Sequence, residues 1–290
     1  MNTKFKIVDV SDRPVIQPRL FTLPLSSNVP RYWANNDAYA THLLNAFSCI
    51  FPGGERFFVR SVLRFQPQVV DPRLKREVRQ FCGQESVHGQ QHEAYNQWAK
   101  CFGYPLDEMT EKFEATLIRN SSMHSDIFCL ALTAALEHFT AVMGNALLTS
   151  DELLESFHPE VRPLWIWHAI EEIEHKAVAY EVLMQIDGRY GLRVGAMILA
   201  ILGLVTSTMI LMSRLLWKDR QIFNLRSFIR WMSLMYRTGF MTSVISGIAE
   251  YFRPGFHPWQ TDDRTLLERY MPKVLGYVRE QRAPAKEISA

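Results

Sequence analysis

The sequence predicts an all-α protein, a four-helix bundle with a dinuclear metal site in its core and additional apolar helices toward the C-terminus. Three observations predict it. Alternating runs bounded by hairpin turns are scarce, whereas apolar residues recur at helical spacing over long stretches. Two of those stretches carry Glu and His together: Glu85, His88 and His92 in QESVHGQQH, and His168, Glu172 and His175 in WHAIEEIEH. At about 100° per residue each trio stays within an arc of roughly 60°, so each helix offers three ligand-type side chains on one face. Finally, Glu55 in FPGGERFF and Glu137 in ALTAALEHF are lone acids in apolar surroundings. In chain order the set reads Glu, Glu-x-x-His, Glu, Glu-x-x-His, the pattern by which a bundle of four helices holds two metals. Unpaired Glu and His on a buried face cost several kcal/mol, and shared cations remove that cost.

The elements follow in order. Residues 1–34, with prolines at 14, 18, 24 and 30, read as an extended arm against the body. Asn35 and Asn36 read as N-caps of the helix DAYATHLLNAFSCIF, which Pro52-Gly53-Gly54 interrupts before ERFFVRSVLRF resumes. A second long helix runs over 72–101 with Pro72 in its first turn. After FGYPLDE comes a helix over 107–120, then the apolar helix 122–149 that carries Glu137. The last ligand-bearing helix spans 160–186 and stops at Asp187-Gly188. Residues 35–190 thus form the bundle, 191–282 the additional helices and 283–290 a disordered tail.

Within the additional helices, 194–213 is twenty residues without a charge, flanked by Arg193 on one side and by Arg214, Trp217, Lys218 and Arg220 on the other. That length suits either a buried helix or one set in or on a membrane. The segment 227–249, broken by Arg230 and Arg237, looks amphipathic, and the two together form a hairpin that dips into lipid or lines an apolar tunnel.

The chain has 290 residues and a formal charge of +2, so it can bury one large core and shows no basic footprint for nucleic acid. Cys49, Cys82, Cys101 and Cys129 stand apart without a C-x-x-C and read as reduced core residues of an intracellular protein. The N-terminus lacks the apolar stretch of a secretory signal. The expected location is the cytoplasm, with association to the inner membrane face through 194–217.

These residues resemble the ferritin-like superfamily of dinuclear carboxylate proteins. More narrowly, FPGGERFF, QESVHGQQH, EHFTA, WHAIEEIEHKAVAYEV and RPGFHPW resemble a bacterial family described as metal-dependent hydrolases by prediction. The fourth helix, His-x-x-x-Glu-x-x-His, is also similar to the di-iron oxygenases related to p-aminobenzoate N-oxygenase. That likeness implies ligation by Glu55, Glu85, His88, Glu137, His168, Glu172 and His175; His92 lies outside it as an additional candidate. His168 could instead orient a ligand carboxylate, and Glu171 rivals Glu172 because both share a face with His168 and His175. His138, Glu174 and Glu93 point off the ligand faces, and His257 reads as a packed loop residue.

A carboxylate and imidazole donor set suits two iron ions, with manganese or zinc as substitutes. Glu55, Glu137 and Glu172 are the carboxylates expected at the reacting centre. The apolar surround leads to an O2-activating oxidoreductase, a monooxygenase or oxidase, acting on an apolar or amine-bearing small molecule. The alternative is a metal-dependent hydrolase using a water between the metals, with Glu171 or Glu174 as the spare base; iron storage or detoxification is third. The expected partners are a small, lipid-like substrate, an electron donor for the oxygenase, a membrane surface and a second copy in a homodimer.

Overall fold

The computed structural model describes residues 7–282 except position 24, with side chains through Val278; the tail 283–290 lies outside the described residues. Every regular element among them is helical, apart from an isolated bridge between Ala34 and Phe157. Helix α1 spans Ala38–Phe65 and is capped by Asp37, whose carboxylate accepts from the Tyr39 and Ala40 amides. The expected caps Asn35 and Asn36 lie outside the helix with φ of 54° and 47°, left-handed conformations that asparagine tolerates.

The expected interruption at Pro52-Gly53-Gly54 does not occur, because α1 runs through it. A proline inside a helix leaves the carbonyl four residues back without its donor. Here that carbonyl belongs to Ser48, and the Asn96 side-chain amide donates to it at 2.8 Å. The helix that follows, α2, spans Pro72–Ala99 and begins with Pro72 after the Asp71 cap.

Helix α3 spans Leu106–Ser121, α4 Asp126–Thr149 and the short α5 Asp151–Glu155. The helix expected over 160–186 is two, α6 at Arg162–His175 and α7 at Val178–Ile186. The break frees Lys176 to reach Asp263, the Thr261 carbonyl and the face of Trp259. A buried ammonium needs such partners. Beyond it lie α8 at Tyr190–Lys218, α9 at Leu225–Arg237, α10 at Phe240–Tyr251 and α11 at Arg264–Arg282. The single amphipathic segment expected over 227–249 is divided between α9 and α10 by Gly239, whose φ of 74° needs glycine.

Four lines of helix enclose the centre: α1 packs on α2 and α4, α6 packs on α2 and α4, and α7 continues from α6 against the same two. Helix α3 covers α1 and α2, α8 lies on α1 and α4, α10 on α4, and α11 on α6. The cysteines are free; Cys49 is buried, but Cys101 is exposed rather than in the core. His257 packs as expected of a loop residue, 3.2 Å from Glu181.

Glu181 ties the arm to the bundle, since Arg13 from the arm and Arg73 from α2 also bind it, at 2.5 and 2.7 Å. Burial raises its pKa, but hydrogen bonds from His257, Arg73 and Arg13 outweigh this and hold it down at about 2. A carboxylate depressed in the folded state adds stability above its unfolded pKa, near 4.3, and loses it as pH falls toward 2. Denaturant unfolding at pH 5 and pH 2.5 is expected to show wild type losing on the order of 2 kcal/mol more than Glu181→Gln.

Candidate metal centre

Seven of the eight expected side chains meet inside the bundle. Glu55 comes from α1, Glu85 and His88 from α2, Glu137 from α4, and His168, Glu172 and His175 from α6. All seven are at most 4% exposed. Three overlapping trios, Glu55 with His88 and His168, Glu85 with Glu137 and His175, and Glu85 with His88 and Glu172, each place one ligand atom per residue within 4.8 Å of the others. Gly89 lets α2 approach, since a Cβ there would lie 3.1 Å from Glu55 Oε2.

The cluster has two ends. Near one, Glu55 lies 4.0 Å from His168 Nε2; near the other, Glu137 lies 3.2 Å from His175 Nε2. Between them, Glu172 stands 2.9, 3.4 and 3.5 Å from His168, His88 and His175, while Glu85 lies 3.0 Å from His175. Both carboxylate oxygens of Glu55, Glu85 and Glu137 are buried without an aligned hydrogen-bond donor. Six buried carboxylate oxygens without an aligned donor are costly at one point of a protein interior, and a cation in their midst is what such a donor set fits.

The imidazoles are oriented by what stands behind them. His175 Nδ1 meets Gln84 Oε1 at 3.0 Å, and the Gln84 amide nitrogen is committed to Glu174 and the Gln17 carbonyl. Gln84 Oε1 must therefore accept, so His175 Nδ1 carries a proton and Nε2 is turned inward toward the carboxylates. His88 reverses the nitrogens, with Nε2 3.2 Å from Glu171 and Nδ1 facing Glu172. A longer chain fixes His168. Asn96 donates to the Ser48 carbonyl, so its Oδ1 accepts from Ser48 Oγ, which accepts in turn from His92 Nδ1. His92 Nε2 is left to accept from His168 Nδ1 at 2.7 Å, and His168 Nε2 faces the cluster unprotonated. Acceptors behind a histidine that set its tautomer are a regular feature of metal sites.

His92, expected among the ligands, therefore stands behind His168. It shares the face of His88 but sits one turn farther along α2, about 6 Å along the axis. Glu171, the rival of Glu172, turns away to Arg19, Trp167 and His88. The spare bases expected for hydrolysis are committed, because Arg19 holds Glu174 through two nitrogens at 2.7 Å as well as Glu171 at 3.1 Å. His138 hydrogen-bonds the Gly247 carbonyl and Glu93 pairs with Arg56. The sequence reading missed Arg19, Gln84, Thr140, Ser48 and Asn96. Spacing holds a trace of two of them, because Asn96 follows His92 by four residues and Thr140 follows Glu137 by three.

Burial, the largest influence, pushes the carboxyls of Glu55 and Glu85 well above the ordinary range and that of Glu137 to about 7. For His175 burial works downward, but the charges of Glu137 and Glu172 carry it to about 10. For His88 the same contest, decided by Glu171 and Glu172, ends at about 9. Protons thus compete with a cation for these atoms. Metal uptake at pH 8 is expected to release protons, and affinity to fall as pH falls. Calorimetric titration with Mn²⁺ in two buffers of different ionisation enthalpy reads this directly; equal heats would refute it.

Two apolar cavities reach the cluster. One, walled by Phe47, Phe51, Leu147 and Trp165, arrives at His168 and Glu172. The other arrives at Glu55, and Phe51, Thr140 and Met143 line both. Thr140 donates to Glu172 Oε2 and so fixes that carboxylate where the cavities adjoin.

The sequence profile of a family described as predicted metal-dependent hydrolases matches residues 17–262. That range takes in the arm residue Arg19, all seven clustered side chains and α8 through α10. No curated protein and no solved structure matches the chain.

Proposed function

The chain belongs to this family of predicted metal-dependent hydrolases, and on that premise we propose a two-metal enzyme of the ferritin-like kind that hydrolyses an ester of an apolar substrate. The observation that carries the reading is the set of six buried carboxylate oxygens on Glu55, Glu85 and Glu137 that lack an aligned donor, faced by three inward imidazole nitrogens. Glu55 with His168 would hold one ion and Glu137 with His175 the other, with Glu85 and Glu172 placed to be shared. Two divalent cations supply Lewis acidity and a water acidified toward neutral pH, and iron supplies in addition a route for electrons to O2.

The protein's own part is orientation, proton handling and exclusion of bulk water. Thr140 fixes Glu172, and Gln84, Glu171 and His92 fix the imidazoles. Arg19 holds Glu171 and Glu174, so neither is free to take a proton from an attacking water, and Glu55 and Glu172 are the carboxylates that face the two cavities.

A second reading, oxidation of the substrate by O2, is favoured by one observation: both approaches to the centre are walled mainly by apolar side chains. Acyl-ester turnover assayed with and without O2 separates the two. Hydrolysis that persists under anaerobic conditions with Mn²⁺ or Zn²⁺ is the expected result. Product formed only with iron, O2 and a reductant would replace hydrolysis by oxygenation.

A further inference from the structure

Helices α4 and α8 are both long and apolar enough to cross a bilayer, yet 67% of the most apolar window of α4 is buried in the protein and only 28% of that of α8. Helix α4 is a core helix, whereas α8 packs one face on α1 and α4 and leaves the other open. Steps of three and four along the open face run Leu199, Gly203, Thr206, Ile210, Arg214, Trp217, all exposed. Where this stripe ends and α9 begins, Trp217, Phe223 and Leu225 are 66, 87 and 65% exposed. So large a cluster of apolar side chains in water marks a contact surface.

Charge identifies what covers it. Between Tyr190 and Ala249 the sequence has seven Arg or Lys and one acid, Asp219, although the whole chain is nearly neutral. Arg230 and Arg237 are paired with Asp37 and Glu152. Arg214, Lys218, Arg220 and Arg226 are exposed around the apolar tip and form no ion pair among the described residues. Aromatic and aliphatic side chains set among unpaired cations fit the headgroup region of an anionic membrane. A second copy seated on the same face would bring like charges together.

A cavity of about 380 Å³ adjoins this face, within the range of small-molecule sites. Exposed Leu199 and Gly203 of α8 and Met123 beyond α3 belong to its rim, Leu117 and Leu136 to its walls, and buried Glu55 to its floor. We propose that the α8–α9 face docks on an anionic phospholipid bilayer and that a lipid acyl chain passes between α3 and α8 to Glu55. This rests on the metal-centre reading and names its substrate class as an acyl lipid.

The test uses the full-length, metal-loaded chain and two vesicle compositions, phosphatidylcholine alone and an equal mixture with phosphatidylglycerol, the latter lipid bearing a photoreactive diazirine near its acyl terminus. Sedimentation with anionic vesicles is expected to exceed that with neutral ones at least tenfold, and the double variant Arg214→Glu, Lys218→Glu to lose that difference. Irradiation is expected to mark peptides containing Phe57 or Leu136. A Cβ at exposed Gly203 meets nothing within 4 Å, so a side chain can begin there without a clash and Gly203→Phe narrows the rim; it should still sediment but lose the internal marks. Absence of sedimentation, indifference to lipid charge, or internal marks that survive Gly203→Phe would each overturn the proposal. Metal content measured on the same samples separates the two claims: retained metal without acyl marking sinks only this inference, and acyl marking without metal sinks only the metal-centre reading.

Discussion

Glu172→Ala is expected to lower metal affinity more than the roughly 10–100-fold that follows loss of a group behind a ligand, with far-UV helicity largely intact. Glu172 lies within 3.5 Å of all three imidazoles and is the carboxylate that His88, His168 and His175 share. His175→Ala should act similarly, because His175 joins Glu85 and Glu137. The combination of lost metal and retained fold is diagnostic. If the cluster were a structural ion network, removing the carboxylate that all three imidazoles approach would break a buried pair and cost about 3–5 kcal/mol without any loss of metal. If it is a metal centre, the variant also loses bound metal and with it the stability that metal adds to the folded chain. Metal analysis together with thermal unfolding of wild type and variant with and without metal distinguishes the two cases.

Arg19→Met is expected to destabilise the protein by about 3–5 kcal/mol, the cost of stripping one partner from a buried ion pair. Arg19 reaches Glu171 at 3.1 Å and Glu174 at 2.7 Å, and those carboxylates are 0 and 1% exposed. For a chain of this size the loss lowers Tm by roughly 10 °C. It should also weaken metal binding, since Glu171 stands behind His88 and Glu174 holds the Gln84 amide that orients His175. Arg19→Lys is expected to recover part of the stability, a single ammonium being unable to reproduce the planar fork that grips Glu174. Unchanged Tm in Arg19→Met would show that the arm does not carry the load assigned to it.

What the sequence made legible was whatever repeats at helical spacing. The all-α class and the side chains that converge in the bundle could be named because Glu and His on an apolar face are costly without a partner. The family match adds metal dependence to this, and its description favours the hydrolase over the oxygenase reading. Choosing between Glu171 and Glu172 was not open to spacing, because both share a face with His168 and His175. The choice is made by Arg19, about 150 residues earlier in the chain and in an arm with no periodicity. Spacing did not separate His92 from His88 for a related reason: angular phase places a residue on a face but not at a height along the axis. Pro52 misled because its unfilled carbonyl is satisfied from another helix, by Asn96. The same Asn96 begins the hydrogen-bond chain that fixes His168, so the residue that rescues α1 also orients the centre.

The most direct test is the metal stoichiometry of the purified full-length chain after anaerobic loading with Fe²⁺ or Mn²⁺ and removal of loosely held ions. About two ions per chain, falling below one in Glu172→Ala and in His175→Ala while both remain helical, is the predicted result. A wild-type chain that holds no metal above background, or variants that retain it fully, would contradict the assignment of the buried Glu and His cluster as a dinuclear metal centre.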